Sequence, residues 1–159
     1  MNHALALPDP PPAAETIRPW RLQRRVLPQH TDHAGVVWHG AYVAWLEEAR
    51  VEALAAAGLA YSDLSARGLE LPVVSLAIEY RQALLHGETV EILSWAEPRC
   101  GLKLPWRSQL LGADGRLAAA ARVELVPVRM EAGGTGRRLQ RRLPPELEEA
   151  VRRLTAGPS

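Results

Sequence analysis

Apolar residues change their spacing along the chain, and each change marks a different predicted element. Over residues 17–27 they alternate with polar residues, which predicts a strand with one covered face. From Gly40 they recur at three and four residues until Gly58, which predicts one helix. Because its apolar stripe is broad and rich in small residues, we expect that helix to lie closely against a sheet. The stripe contains Tyr42, Trp45, Leu46, Ala49, Ala53 and Ala57.

Beyond a short predicted helical turn over residues 62–67, the apolar period falls to two. Alternating segments separated by short turns predict four consecutive strands in an antiparallel run. Residues 131–136 are interpreted as a flexible loop, and residues 143–154 as a terminal helix with proline at its start. The four strand segments cover residues 69–82, 89–99, 102–112 and 116–129.

This order of elements predicts an α+β fold with one long helix and a five-stranded antiparallel sheet. One long helix cannot cover both faces of such a sheet, so the other face or an edge strand is expected to meet a second subunit. Residues 1–16 are rich in proline and alanine without any period and are interpreted as a disordered leader. We therefore place one domain at residues 17–155 and a short tail at residues 156–159.

Composition narrows the class of protein without identifying an activity. The 159 residues are 47% hydrophobic and 23% charged, as in a soluble globular domain, and the net charge of +1 gives no general attraction for nucleic acid. No run approaches the ~20 apolar residues of a membrane helix, and the N-terminus does not resemble a signal peptide. Cys100 is the only cysteine, so a reducing cytoplasm is the expected location.

Histidine and aspartate side chains, which can bind metals or transfer protons, are concentrated between the first predicted strand and the long predicted helix. His30, His33 and His39 are three of the five histidines in the chain, and Asp32 lies among them. These are acceptable metal ligands, but in an extended segment His33 would face away from His30 and Asp32. No recognised metal motif is present. We therefore predict that this segment holds no metal.

An acid–base interpretation fits the same segment better. Asp32 precedes a glycine turn at Gly35, and His39 lies where the helix begins. The first N–H groups of a helix have no internal partner and carry partial positive charge, so they can stabilise a developing oxyanion. Asp32 is then a candidate base or nucleophile. The competing interpretation is that Asp32 is a turn or cap residue, as aspartate before a helix often is.

The segment TDHAGVVWHGAYVAWLEEAR resembles the signature of the hotdog-fold acyl-CoA thioesterases of the 4-hydroxybenzoyl-CoA thioesterase type. That family includes the thioesterase associated with the Tol-Pal system. A second match, Tyr80 and Arg81 before a turn that ends in Gly87 and Glu88, extends the resemblance over about residues 17–155. The positions that match in the first segment are Asp32, Gly35, Val36, Val37, Trp38, His39, Tyr42, Glu48 and Arg50.

The resemblance implies that one long central helix is wrapped by the five-stranded sheet, and that the chain hydrolyses acyl-CoA without metal or cofactor. It implies Asp32 as general base or nucleophile and His39 as its catalytic companion, whose backbone N–H polarises the thioester carbonyl. Two positions depart from the family: His30 replaces a common aspartate, and Trp38 replaces a tyrosine or phenylalanine. Core packing is the alternative role for Trp38, Tyr42 and Trp45. The substrate-binding residues expected are Gly35, Trp38, Gly40, Tyr42, Trp45 and Arg81.

Several properties of the substrate remain open at this level. An aliphatic acyl-CoA is favoured over hydroxybenzoyl- or dihydroxynaphthoyl-CoA, because the W-H-x-x-Y and L-E-E-A-R pieces look closest to that branch. An acyl carrier protein as donor and a non-catalytic acyl-binding subunit are the alternatives, and a homodimer or homotetramer is expected.

Arg99 and Arg107 are weaker candidates than Arg81 for binding CoA phosphates. A cluster of four arginines is interpreted as a solvated tail or a CoA site: Arg137, Arg138, Arg141 and Arg142.

Overall fold

The structure is a computed structural model that describes residues 17–159. The predicted disordered leader, residues 1–16, lies outside the described residues. A short 3-10 helix, Pro28–His30, follows the first strand. In chain order the remaining elements are β1 Trp20–Arg25, α1 His39–Ala56, α2 Tyr61–Ala66, β2 Leu69–Glu70, β3 Val73–Tyr80, β4 Thr89–Ala96, β5 Leu104–Leu111, β6 Leu117–Leu125, β7 Val128–Met130, β8 Arg137–Leu139 and α3 Pro145–Ala156.

The main sheet has five antiparallel strands in the order β1-β4-β5-β6-β3, which confirms the predicted α+β class and sheet. The predicted run of consecutive neighbours is wrong at one point, because β3 pairs with β6 and β4 pairs with β1. Residues 81–88 therefore cross the end of the sheet. Neighbouring strands lie only ~4.8 Å apart, and eight residues span up to about 26 Å. The segment is therefore long enough to pass β6 and β5 and reach the position of β4. Turn residues signal that the chain reverses, but they do not specify its next neighbour.

Helix α1 packs on the sheet through the predicted stripe, and all six of its residues are buried. The helix begins at His39 and ends at Ala56, close to the predicted bounds. Small side chains lie on the sheet side of this contact, where Ala119 and Ala121 of β6 join the same core cluster as Ala49. Alanine thus lies on both surfaces of the contact between helix and sheet.

Two of the predicted strands are each divided by a proline. Pro72 separates β2 from β3, and Pro127 separates β6 from β7. Proline lacks the N–H that a sheet ladder needs, so the chain leaves the main sheet at both points. The released pieces form a second sheet in the order β2-β7-β8. Residues 131–136, predicted as a flexible loop, connect β7 to β8 within this sheet.

The sheet surface away from α1 carries paired charges. Glu97 forms ion pairs with Arg107, at 2.9 Å, and with Arg122, at 2.8 Å. The edge strand β3 differs, because several of its apolar side chains are exposed: Val73, Val74, Leu76 and Tyr80. No helix among residues 17–159 combines the length and apolar character needed to cross a membrane.

Candidate active site

The chain between β1 and α1 folds back on itself, and the start of α1 lies at one end of the sheet. The N–H of Asp32 donates to the carbonyl of Val36 at 2.8 Å, and the N–H of Trp38 donates to the carbonyl of His30 at 3.1 Å. Gly35 closes the turn with a φ of 77°, which favours glycine because a Cβ is strained there. The predicted glycine turn therefore fixes where Asp32 lies relative to α1.

The Asp32 carboxylate is exposed but anchored by the turn. Its Oδ1 accepts hydrogen bonds from the N–H of Ala34 at 2.9 Å and of Val36 at 3.1 Å. These are the bonds expected of a turn residue, so that interpretation is correct for Oδ1. They also hold the carboxylate in one orientation, and no bond within residues 17–159 occupies Oδ2.

The start of α1 leaves two backbone donors available. The N–H of Ala41 bonds back to the carbonyl of Trp38 at 3.0 Å. The N–H groups of His39 and Gly40 have no backbone acceptor within the part of the chain that the structure describes, as expected at a helix start. Together with the helix dipole they form a local site of positive potential.

Trp38 lies directly over this helix start. Its indole is 47% exposed, and its ring meets the imidazole of His39 edge to face at 5.3 Å. A Cβ added at Gly40 would lie 2.1 Å from a ring carbon of Trp38. Glycine is therefore favoured at position 40 by close approach of the indole, because any larger residue would have to displace that ring.

An open pocket of about 270 Å³ lies beside the helix start. The structure thus brings together three predicted site residues, His39, Tyr42 and Arg81. Asp32 lies in the adjoining turn and is not part of the pocket wall. Trp45 is buried beneath the pocket, against the rings of Tyr42 and His30, so it is a core residue there. The lining residues are Val37, His39, Tyr42, Tyr80, Arg81, Gln82 and Ala83.

Two tyrosines form one wall of this pocket. The rings of Tyr42 and Tyr80 meet edge to face at 5.0 Å, and the Tyr80 hydroxyl donates to the carbonyl of His39 at 2.9 Å. Burial raises the pKa of both phenols. Both therefore remain protonated at neutral pH. The sequence marks Tyr80 only as part of the strand-end resemblance, and no sequence signal indicates its bond to His39.

Arg116 supports the segment that forms the other wall. Its guanidinium donates to the carbonyl of Ala83 at 2.9 Å and pairs with Glu88 at 2.8 Å. The hydrogen bond to Glu88 raises the pKa of Arg116. Glu88 in turn accepts the N–H of Leu85 at 2.6 Å. The Gly-Glu turn of the sequence motif is thus tied to the residue that precedes β6, and local sequence reasoning missed Arg116.

The histidines and arginines of the sequence have different surroundings. Among residues 17–159 no three His, Cys, Asp or Glu side chains form a metal-binding group. Instead, the Nδ1 of His30 accepts the N–H of Leu27 at 3.0 Å. Arg81 reaches the pocket and pairs with Glu79 at 2.9 Å. The other arginine candidates lie away from the pocket: Arg99, Arg107, Arg137, Arg138, Arg141 and Arg142.

A second cavity lies at the other end of α1, between the sheet and α3. Its volume is about 20 Å³, room for about one water molecule. Arg50, from the helix motif, lines it and is only 8% exposed. Burial lowers the pKa of Arg50, and its Nε has no hydrogen-bond partner within residues 17–159. Tyr61, Trp106 and Leu147 form part of the wall.

The chain is similar to known proteins over most of its length. The profile of the thioesterase-like superfamily matches residues 26–153. The chain is 37% identical to sll0410 of Synechocystis, a proposed esterase, over 89% of this chain and 83% of that protein. It is 29% identical to the acyl-CoA thioester hydrolase YbgC of Escherichia coli over 69% of this chain and 81% of that protein.

Solved structures give the same picture. The DHNA-CoA thioesterase of Staphylococcus aureus superposes with a TM-score of 0.74 at 26% identity, covering 83% of this chain and 87% of that one. The described elements therefore adopt the arrangement of a thioesterase, and the pocket at the start of α1 lies within the matched range.

Proposed function

Because the chain belongs to the thioesterase-like superfamily and is a thioester hydrolase, we propose that it hydrolyses acyl-CoA at the start of α1. One observation carries this proposal. Two free helix-start N–H groups lie beside an open pocket, and the anchored carboxylate of Asp32 lies in the turn before them. In this proposal α1 is the central helix of the hotdog fold.

The proposed reaction uses the helix start as an oxyanion hole. The thioester carbonyl accepts hydrogen bonds from the N–H groups of His39 and Gly40, which stabilise the tetrahedral oxyanion. Asp32 takes a proton from water as the water oxygen bonds to the carbonyl carbon. The intermediate then collapses to the free acid and expels CoA as a thiolate, which is protonated. Direct attack by Asp32, giving a mixed anhydride that water then cleaves, uses the same groups.

The remaining candidates have supporting roles in this proposal. The His39 side chain orients the water, and Arg81 at the pocket mouth binds a CoA phosphate. Trp38 and Tyr42 contact the acyl group next to the carbonyl, and Gly35 and Gly40 shape the backbone around it. Trp45 supports the pocket from below rather than touching substrate. A cytoplasmic location and the option of an acyl carrier protein as donor belong to the same proposal.

For the acyl group we propose an aliphatic chain, as the helix motif indicates. The aromatic alternative has one specific support, which is the structural similarity to a DHNA-CoA thioesterase at 26% identity. A hydrolysis panel from acetyl- to palmitoyl-CoA, with 4-hydroxybenzoyl- and dihydroxynaphthoyl-CoA, separates the two by kcat/KM. Highest turnover on an aromatic thioester would contradict the aliphatic assignment.

The same panel also tests whether the chain is an enzyme acting on CoA esters. If no CoA thioester of the panel is hydrolysed, the chain either uses an acyl carrier protein as donor or is a non-catalytic acyl-binding subunit. Repeating the assay with acyl carrier protein thioesters separates these two.

Reversing the charge of Arg137 and Arg138 tests the arginine cluster, and we expect an unchanged KM because Arg137 already pairs with Glu70 at 2.9 Å.

We propose that β3 is where a second copy of the chain binds, in a homodimer or a homotetramer. Edge strands carry unpaired backbone groups that invite pairing, and β3 adds exposed apolar side chains to that edge: Val73, Val74 and Leu76. Among residues 17–159, the charged sheet face carries ion pairs and contributes none of the exposed large apolar side chains. Mass measurement by light scattering tests this, and a monomeric mass would contradict it. Leu76→Arg should lower the mass to that of a monomer.

A further inference from the structure

One peptide unit at the start of α1 is contacted from two sides. The carbonyl of His39 and the N–H of Gly40 belong to the same planar peptide. The Tyr80 hydroxyl donates to that carbonyl at 2.9 Å, while the Trp38 indole covers the Gly40 side, where a Cβ would lie 2.1 Å from the ring. Both contacts therefore determine how this peptide is oriented.

A hydrogen bond to the oxygen of a peptide changes the other end of that peptide. Donation to the carbonyl polarises the unit, so its N–H becomes a stronger donor. The Gly40 N–H is one of the two donors left without a backbone acceptor within residues 17–159. The phenol of Tyr80 is thus connected through a single peptide to a donor proposed for the oxyanion hole.

We propose that Tyr80 is a positioning residue for thioester hydrolysis, whose phenol orients and polarises the His39–Gly40 peptide so that Gly40 donates to the oxyanion. The inference rests on the proposed function, because it concerns the same helix start. Tyr80 acts through the peptide and need not touch the reacting atoms. Its ring, 48% exposed and packed against Tyr42, has a separate packing role.

Tyr80→Phe separates the hydroxyl from the ring, because it keeps the contact with Tyr42. Loss of one neutral hydrogen bond predicts that kcat falls about three- to tenfold. KM should change by less than about twofold, since the donor that is weakened, the Gly40 N–H, is proposed to act on the oxyanion of the transition state. The matched control is Tyr61→Phe, a half-buried tyrosine at the other end of α1, for which we expect kcat within about twofold of wild type.

A spectroscopic measurement reports on the peptide itself. In ¹H–¹⁵N spectra of Tyr80→Phe, the Gly40 amide proton should move upfield because its peptide is less polarised. The Gly58 amide, beyond the other end of α1, should stay in place. A drop in kcat without movement of the Gly40 resonance, accompanied by a lower melting temperature, would overturn the positioning role and leave a structural one.

The kinetic outcomes distinguish this inference from the function on which it rests. If wild-type protein hydrolyses acyl-CoA and Tyr80→Phe retains its kcat and KM, Tyr80 has no positioning role and the proposed function stands. If wild-type protein hydrolyses no thioester, the proposed function fails, and the catalytic role of Tyr80 fails with it. A lower kcat with an altered Gly40 resonance supports both.

Discussion

The two ends of α1 rest on the same sheet and yet have opposite surroundings. At its start, an open pocket of about 270 Å³ is lined by exposed polar residues such as His39, Arg81 and Gln82, together with buried Val37 and Tyr42. At its far end, a small cavity of about 20 Å³ is walled mostly by apolar residues, with Arg50 among them, and α3 lies against it. The difference lies in what covers the helix, because Leu147, Ala150 and Leu154 of α3 are buried only over the far end.

The two ends are also held together by different interactions. Around the open end, hydrogen bonds fix individual groups, as between Asp32 and the turn, Tyr80 and His39, or Arg116 and Ala83. Around the closed end, apolar contacts dominate. Substitutions that remove a single polar group at the open end should therefore alter turnover with little change in stability, and substitutions that truncate a buried apolar side chain at the closed end should do the reverse.

The largest effect expected is loss of turnover in Asp32→Asn. Asparagine can keep the two hydrogen bonds from Ala34 and Val36, but it can neither accept a proton as a base nor attack the thioester. We expect kcat to fall by about 10²–10⁴-fold, with a free energy of unfolding within about 0.5 kcal/mol of wild type. Steady-state hydrolysis and urea denaturation measure the two quantities. Wild-type turnover in this variant would refute the role of Asp32.

Leu147→Ala tests the closed end. Leu147 is 1% exposed and lines the small cavity, so truncation should lower the free energy of unfolding by about 2–5 kcal/mol. We expect kcat per folded molecule to stay within about twofold. Leu85→Ala is the control near the open end, where the side chain is 49% exposed. An equal loss of stability in both variants would remove the contrast between the ends.

The contrast between the ends also explains what the sequence could predict. The α1 stripe, its bounds and the glycine turn were predictable because each depends on residues a few positions apart. Two prolines could have divided the predicted strands, but the pairing of β3 with β6 depends on where the chain goes after a turn. The spacing of apolar residues along the sequence does not indicate which strand will pair with β3.

The local part of the candidate site was also predictable from the sequence, whereas its contacts between distant residues were not. Asp32, His39 and Gly40 lie within one continuous segment, so their relation to the helix start follows from local geometry. The Tyr80–His39 bond joins residues 41 positions apart, and Arg116 reaches Ala83 across 33 positions. These links exist only because the crossing segment brings the ends of β3 and β6 beside α1. A helical face does not show how deep each residue lies, so the sequence alone leaves Trp45 with either a pocket or a core role.

Gly40→Ala tests how tightly the open end is packed. The new methyl group would meet the Trp38 indole, and overpacking should cost about 1–3 kcal/mol of unfolding free energy. In a Trp38→Leu background the same change should instead stabilise by up to about 1 kcal/mol, since alanine favours a helix over glycine. A double-mutant cycle by urea denaturation measures the coupling. A cost that is equal in both backgrounds would show that the indole does not restrict position 40.

The smallest effect expected is at the ion pair that ties the middle of α1 to β1. The Nε of Arg24 donates to Glu48 at 2.9 Å, and this hydrogen bond lowers the pKa of Glu48. A carboxyl whose folded pKa lies below its unfolded value stabilises the fold above the unfolded pKa, about 4.3 for glutamate. That contribution is lost as pH falls through the lower, folded pKa.

Glu48→Gln should therefore cost only about 0.2–1 kcal/mol of unfolding free energy at pH 7, because both side chains are more than a third exposed to solvent and salt. Urea denaturation of wild type and variant should give a difference that shrinks as the pH is lowered below about 4. Glu52→Gln, one turn further along the helix, is the exposed control and should change little at either pH. A Glu48→Gln difference that persists undiminished in acid would mean that packing, and not charge, joins α1 to β1 at this point. The middle of the helix would then resemble its closed end.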